Sequence, residues 1–317
     1  MLSELKFVMG SVAKKDYLPA LTHFCIENGT VRGYNGTLAL CSPIPFDIAC
    51  KPRADKMVQA IRNCNDTISL AMTPTGRLSI RSGKFKALID CVDGETPHAT
   101  PEGDIVPIDG KAFLAGVKAV EAFVADDASR PWSNGVLVEG ESVFATNNII
   151  VAEYWMGSKF PLKLNIPRAA VKEIVRIDEA PTHAQVASNS FTLHYENKRW
   201  IRSQLLMAEW PDLGRILNVR SEQAPIPEGL FAALECVKPF TDKLGRAFFI
   251  DGSVRTCKQD GEGADYEVPG LPNGTYQLEM FQKLEGVATS IDLTSFPKPA
   301  LFFGERLRGA IIGMRDL

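Results

Sequence analysis

One pattern occurs three times along this chain of 317 residues. Cys25-Ile26-Glu27-Asn28-Gly29-Thr30-Val31-Arg32 reads as a strand, a tight Asn-Gly turn and a second strand. Asn and Gly tolerate the positive φ that a two-residue hairpin loop requires. Leu137 to Phe144 (LVEGESVF) repeats the pattern at a shift of 112, and Phe248 to Arg255 (FFIDGSVR) at a shift of 223. A second feature has nearly the same spacing. Ser69 to Asp90 predicts a β meander with turns at Gly76 and Ser82-Gly83, and Gln185 to Leu205 and Ser290 to Ile312 follow it at about 113 and 223. Two independent features at one period point to three copies of a single supersecondary unit.

Between these strands lie segments of helical period. Asp109 to Val120 puts Phe113, Leu114, Val117 and Val120 on one face. Ile166 to Ile177 opens with Pro167, a good first-turn residue, and turns Val171, Ile174 and Val175 inward. Pro52–Cys64, Pro227–Val237 and Asn273–Leu284 read as helices too, and Leu2 to Gly10 is the poorest of the set. Each unit is then helix, strands, helix, strands, an α+β arrangement. Polar, Pro/Gly-flanked breaks at Glu102-Gly103-Asp104 and Ser221 to Pro225 set the units at 1–103, 104–220 and 221–317. The alternative is one large β-rich domain, against which the triplicate spacing argues.

Composition is ordinary for a globular protein, with 45% hydrophobic and 23% charged residues. No apolar run approaches the roughly 20 residues of a membrane span. The N-terminus lacks a signal-peptide pattern, so the seven cysteines are expected as free thiols of a cytoplasmic protein. No pair has CxxC spacing, and no metal or cofactor site is expected. The formal net charge of −3 argues, taken in bulk, against nucleic acid.

Several stretches resemble the bacterial DNA polymerase III β subunit, the sliding-clamp family. Tyr17-Leu18-Pro19-Ala20-Leu21 resembles its "LPIL" stretch, and Ile80 to Lys86 its "RSGRSRF" strand. Asn134 to Leu137 with Ala145 to Asn148 is similar to "NGMLFE…ATDGHRLA", and Ile166-Pro167-Arg168 to "VPRK". Trp210 to Leu217 resembles "FPDYRRVLP", and Ile312-Gly313-Met314-Arg315 resembles "MPMRL". The resemblance implies three clamp domains per chain and a head-to-tail homodimer closing a six-domain ring, helices inside and sheets outside. The chain is shorter than a typical cellular clamp, which points to a phage or prophage version.

Three sites follow from the resemblance. The first grips double-stranded DNA without reading its sequence, through Lys and Arg on the inner helices. The residues are Lys56, Arg62, Lys111, Lys118, Arg168, Lys172, Arg176, Lys238 and Lys283, with Lys14, Lys15, Arg130 and Trp132 on loops. Each cation alone reads better as a solvated surface charge, and Trp132 reads equally well as buried packing. Arg168, Lys172 and Arg176 at i, i+4 and i+8 form one basic stripe. The second site is a pocket for a QLxLF-type peptide of a DNA polymerase or clamp loader. Its matching positions are Ser133, Thr146, Asn148, Ile149, Ile150, Val151, Pro211, Arg215, Ile216, Ile312, Gly313, Met314 and Arg315. Aliphatic walls and an adaptable Met suit a Leu-Phe anchor, although Ile149, Val151 and Ile312 also read as strand core. The family's Gly-His-Arg is Asn148-Ile149-Ile150 here, and Asp316-Leu317 extend the tail.

The third site is ring closure. Residues 1–103 carry 12 basic and 10 acidic residues, 104–220 carry 13 and 14, and 221–317 carry 10 and 14. The expected edges are Arg81, Lys84 and Lys86 against Glu262, Asp265 and Glu267, with Ile61 and Phe240 as apolar contacts. Opposite charge registers such a pairing more than it strengthens it. Two rival readings remain. An enzyme would need a constellation that the scattered His23, His98, His183 and His194 do not make, and no phosphate-binding loop motif occurs; Asp126-Asp127 and Gly261-Glu262-Gly263 read as polar turns. A β-rich structural or assembly protein would share the repeats but need neither the basic stripe nor the pocket.

Overall fold

The computed structural model describes residues 1–126, 129–258 and 262–314. Seven α-helices occur among them: α1 (Leu2–Val8), α2 (Ala54–Arg62), α3 (Gly110–Val120), α4 (Arg168–Ile177), α5 (Gly214–Leu217), α6 (Leu230–Val237) and α7 (Leu278–Gln282). The chain divides into two compact units, 1–114 with 169–205 and 115–168 with 206–317. The division falls inside α3 and after the first residue of α4.

The first unit holds a seven-stranded antiparallel sheet in the order Cys25–Glu27, Thr30–Tyr34, Leu38–Pro43, Trp200–Gln204, Ser190–His194, His183–Val186, Val106–Pro107. Period-2 alternation is clear on Thr30–Tyr34 and Trp200–Gln204, while Leu38–Pro43 and Ser190–His194 are buried on both faces. Val31, Leu40, Ile201, Leu193 and Ala184 are buried on one face. Helix α1 packs against the Thr30–Tyr34 and Leu38–Pro43 strands. The chain after α1 is held there by the Ser11 hydroxyl, which accepts the Leu40 N–H at 3.1 Å. A three-stranded meander, Ser69–Met72, Arg77–Ser82 and Phe85–Asp90, completes the unit.

Helix α4 is tied to α1 by a charged cluster. The Arg176 guanidinium donates to the Glu173 carboxylate and to the carbonyls of Lys6 (3.2 Å) and Phe7 (2.8 Å). Those carbonyls belong to the last turn of α1, where helix acceptors lack partners and a cation is favoured. Gly10 lets the helices come this close, because a Cβ there would lie 1.7 Å from Glu173 Oε1. Arg199 bonds Glu179 and stacks 5.0 Å over the Phe7 ring, which meets Tyr195 edge-on.

The second unit holds an eight-stranded antiparallel sheet in the order Leu164–Pro167, Gly135–Glu139, Ser142–Thr146, Ile150–Trp155, Leu307–Ile311, Ala300–Phe303, Ser290–Ile291, Ala224–Pro225. A four-stranded sheet runs Asp265–Glu267, Ser253–Arg255, Arg246–Ile250, Gly274–Gln277. Its core is aromatic: Phe249, Tyr276 and Phe281 pack with ring centroids 5.2–5.4 Å apart.

All three expected hairpins form. Asn28-Gly29 and Asp251-Gly252 both have two successive positive φ values, the geometry of a type I′ turn. The middle hairpin places only Gly140 there. Helix starts differ from expectation: Ile166 and Pro167 pair with Val136 and Gly135 in the strand Leu164–Pro167 rather than opening α4, and 273–284 begins as the strand Gly274–Gln277, with only Leu278–Gln282 helical. The reason is pairing, since Thr275 and Tyr276 are ladder partners of Phe248 and Ala247. Helix α6 starts at Leu230 rather than near Pro227, after Gly229 in the left-handed conformation.

Candidate functional site

The cations expected on helices sit opposite buried apolar faces. On α2, Met57, Val58, Ala60 and Ile61 are buried while Lys56 and Arg62 are exposed. On α3, Phe113, Val117 and Val120 are buried and Lys111 and Lys118 exposed. Helix α4 turns Ala170, Val171 and Ile174 inward and leaves Lys172 exposed. Arg176, however, is engaged with Glu173 and the α1 carbonyls, so its guanidinium is an internal tie rather than an open member of the stripe.

Arg168 pairs with Asp126. Lys283 donates to the Ala122 carbonyl at 2.8 Å, and Lys238 faces Glu279 at 3.9 Å. Burial, reinforced by the neighbouring Arg168 charge, holds the Lys283 ammonium below the ordinary lysine range, with Glu279 acting the other way. Lys14 and Lys15 lie on an exposed loop beside Tyr17, whose side chain is 106% exposed. Arg130 is exposed, whereas Trp132 is half-buried with its ring 5.3 Å from that of Trp210.

A groove of about 700 Å³ in the second unit takes the exposed Arg215 and Ile216, with Val219 and Arg220, on one side. Phe296, Pro297, Lys298 and Pro299 line it as well, together with Leu301, which is 4% exposed. Beneath Leu301 is an apolar cluster of Val151, Leu217 and Ala310. Val151 is therefore support for the groove and not its surface. Gly313 lies against the Phe296 ring, where a Cβ would come within 2.7 Å, and the Met314 N–H bonds the Thr275 carbonyl.

Thr146, Asn148, Ile149 and Ile150 form a tight turn. Thr146 Oγ1 accepts the Asn148 N–H at 3.1 Å and donates to the Ile150 carbonyl at 2.7 Å, while Asn147 Oδ1 caps Ile149 and Ile150. The turn meets the exposed Ile312, whose N–H bonds the Ile149 carbonyl at 3.0 Å. Asn148 reaches toward the buried Ser133 hydroxyl at 3.5 Å, and its Oδ1 is buried with no hydrogen-bond partner among the described residues. Pro211 lines a separate cavity of about 410 Å³ with Trp210, Leu213 and the sheet residues Leu137 and Phe144. Arg315, Asp316 and Leu317 lie outside the described residues, as do Asp127 and Gly261.

Of the expected interface residues, Arg81, Lys84 and Lys86 are exposed on the three-stranded meander, and Glu262, Asp265 and Glu267 are exposed at or beside the edge of the four-stranded sheet. Phe240 is exposed. Ile61 is not: at 4% exposure it belongs to the buried face of α2 and offers no surface contact. Two apolar residues that sequence reasoning missed stand on those edges, Leu88 at 51% and Tyr266 at 40% exposure. Leu88 could have been found from its period-2 register with Lys86 and Asp90, which puts all three on the exposed face of the strand Phe85–Asp90. Val219, Arg220, Phe296 and Lys298 of the groove were missed because they come together only in the fold.

No protein-family model matches the chain, and no curated relative is found. Solved structures do match. The DNA polymerase III subunit beta of Pseudomonas aeruginosa is similar at a TM-score of 0.84 and 16% identity, over 99% of this chain and 97% of that one. A DnaN sliding clamp from Bartonella birtlesii, bound to griselimycin, gives 0.83 and 15% over the same shares. The beta subunit from Streptococcus pyogenes gives 0.82 and 14%, again over 99% and 97%. The fold is thus the mixed helix-and-strand fold of bacterial sliding clamps along essentially its full length.

Proposed function

We propose that this chain is a DNA sliding clamp, a processivity factor that encircles duplex DNA and tethers a polymerase without doing chemistry itself. The observation that carries the reading is the near end-to-end correspondence with clamp structures, at 97% coverage of the other chain. A fold shared at 16% identity supports the architecture only. The role is supported by what sits on it: exposed cations opposite the buried faces of α2, α3 and α4, and an apolar groove at Ile216.

In this reading the three units 1–103, 104–220 and 221–317 are clamp domains, and the middle one gives strands to both large sheets. Two copies pair head to tail, the Phe85–Asp90 edge of one against the Asp265–Glu267 edge of the other, which removes two unpaired strands. Lys56, Arg62, Lys111, Lys118 and Lys172 face phosphate, as does the Arg168–Lys283 pair, and contact is blind to sequence. The Ile216 groove, flanked by Ile312 to Met314, takes the short peptide of a polymerase or clamp loader. The cytoplasm is where such a protein works.

The test is a double charge reversal. Lys56→Glu with Lys172→Glu is expected to lower duplex retention at 100 mM salt at least tenfold, while size-exclusion mass stays at twice the chain mass. Each exposed phosphate contact contributes about one unit to the slope of log affinity against log salt. Retention and slope unchanged in the double variant, or a mass of one chain for the parent protein, would count against the reading.

A further inference from the structure

We infer that the segment docking in the Ile216 groove carries carboxylates next to its apolar anchors, unlike a neutral QLxLF-type motif. The inference rests on the groove being the partner site, as proposed above. Its basis is the placement of charge around the groove. On the α5 side, Ile216 follows Arg215 and Val219 precedes Arg220. On the other wall, Lys298 stands between Pro297 and Pro299. Every stretch of apolar wall outside Phe296 and Leu301 therefore has a cation as its chain neighbour.

The carboxylates at the groove do not cancel them. Asp292 is buried, and its oxygens accept the Glu222 N–H at 2.9 Å and the Thr294 hydroxyl at 2.8 Å. Asp212 holds Arg215 at only 3.4 Å, with the two side chains 66% and 86% exposed, an ion pair that a bound carboxylate can replace. Among the described residues, that leaves Glu222 as the exposed carboxylate of the lining against Arg215, Arg220 and Lys298.

Apolar contact with Ile216, Val219, Phe296 and Leu301 supplies the affinity, and the cations decide which anchored segments are admitted. A lysine-flanked segment would meet like charge on both walls and be rejected. The apolar lining also separates this groove from a phosphate site. A DNA backbone would lose hydration against Ile216, Val219 and the prolines with too few donors to replace it.

The experiment uses the full chain and three labelled 12-residue peptides sharing one Leu-x-Leu-Phe anchor, flanked by Asp/Glu, Ser/Asn or Lys. Fluorescence anisotropy at 50 mM salt is expected to rank them acidic, neutral, basic, with the acidic peptide about tenfold tighter than the neutral one. The gap should shrink to about twofold at 500 mM, where the screening length is a few ångströms. Arg220→Glu with Lys298→Glu should invert the ranking without altering the thermal unfolding midpoint, since both side chains are exposed. If acidic and neutral peptides bind equally and Ile216→Asp abolishes both, the groove reading stands and the acidic preference is wrong. If no peptide binds and Ile216→Asp changes nothing, both fail. Displacement of the acidic peptide by a short DNA duplex in the parent but not in R220E/K298E would also overturn the inference, in favour of phosphate binding.

Discussion

His194 shows how one half-buried side chain sets the response to acid. Gln185 donates its amide to the Gly103 carbonyl at 2.7 Å, so its oxygen is the acceptor for His194 Nε2–H at 2.5 Å. Burial, with His183 nearby, holds the imidazole below the ordinary histidine range. The unfolded chain therefore takes up this proton first, near pH 6.5. Stability from this group is complete above that value and is lost as pH falls through it toward the folded value. His194→Gln should lessen the drop in urea midpoint between pH 7.5 and 5; an identical drop in both proteins would refute the assignment. Residues such as this are hard to read from sequence. His194 and Ile61 look no different from surface neighbours until the strands or helices around them are assembled. Arg215 and Ile216 were singled out because they sit in a Pro-Asp stretch similar to one family's, and the structure puts both on the groove.

Helices and strands were legible to the extent that their signals are local. The outer two hairpins followed from Asn-Gly and Asp-Gly turns, the middle one from the turn at Gly140, and α2, α3 and α4 from apolar periodicity. The segment 273–284 was misread because its strand pairs with residues almost 30 positions away, information that periodicity does not carry. Helix α4 gives a sharp contrast between two of its cations. Removing Arg176 leaves the Glu173 carboxylate buried without its partner and the α1 carbonyls without a donor. Arg176→Ala should cost about 1–3 kcal/mol in chemical unfolding, below the 3–5 of a fully buried pair because the guanidinium is partly exposed. Lys172→Ala should change stability by no more than about 0.5 kcal/mol while weakening DNA retention. Equal stability effects would contradict the division of labour drawn for α4. At the sheet edges, Leu88→Asp should shift the size-exclusion mass from two chains toward one without loss of folded signal by circular dichroism. A dimer that persists at sub-micromolar concentration would move the interface elsewhere.

Under the proposed clamp function, a net charge of −3 is compatible with DNA. Charge is unevenly spread: residues 221–317 hold 14 acidic against 10 basic residues, while the helices α2, α3 and α4 present lysines and arginines opposite their buried faces. A protein that must slide gains from weak, numerous phosphate contacts and from topological retention in place of tight binding. Topology is thus the central claim, and it can be measured directly. The protein is placed on a nicked circular plasmid with a bacterial clamp loader, passed over a sizing column at 300 mM salt, and the complex is then cut once with a restriction enzyme. The account predicts that protein co-elutes with the intact circle and is lost within minutes of linearisation. Protein that leaves circular and linear DNA at the same rate would contradict it.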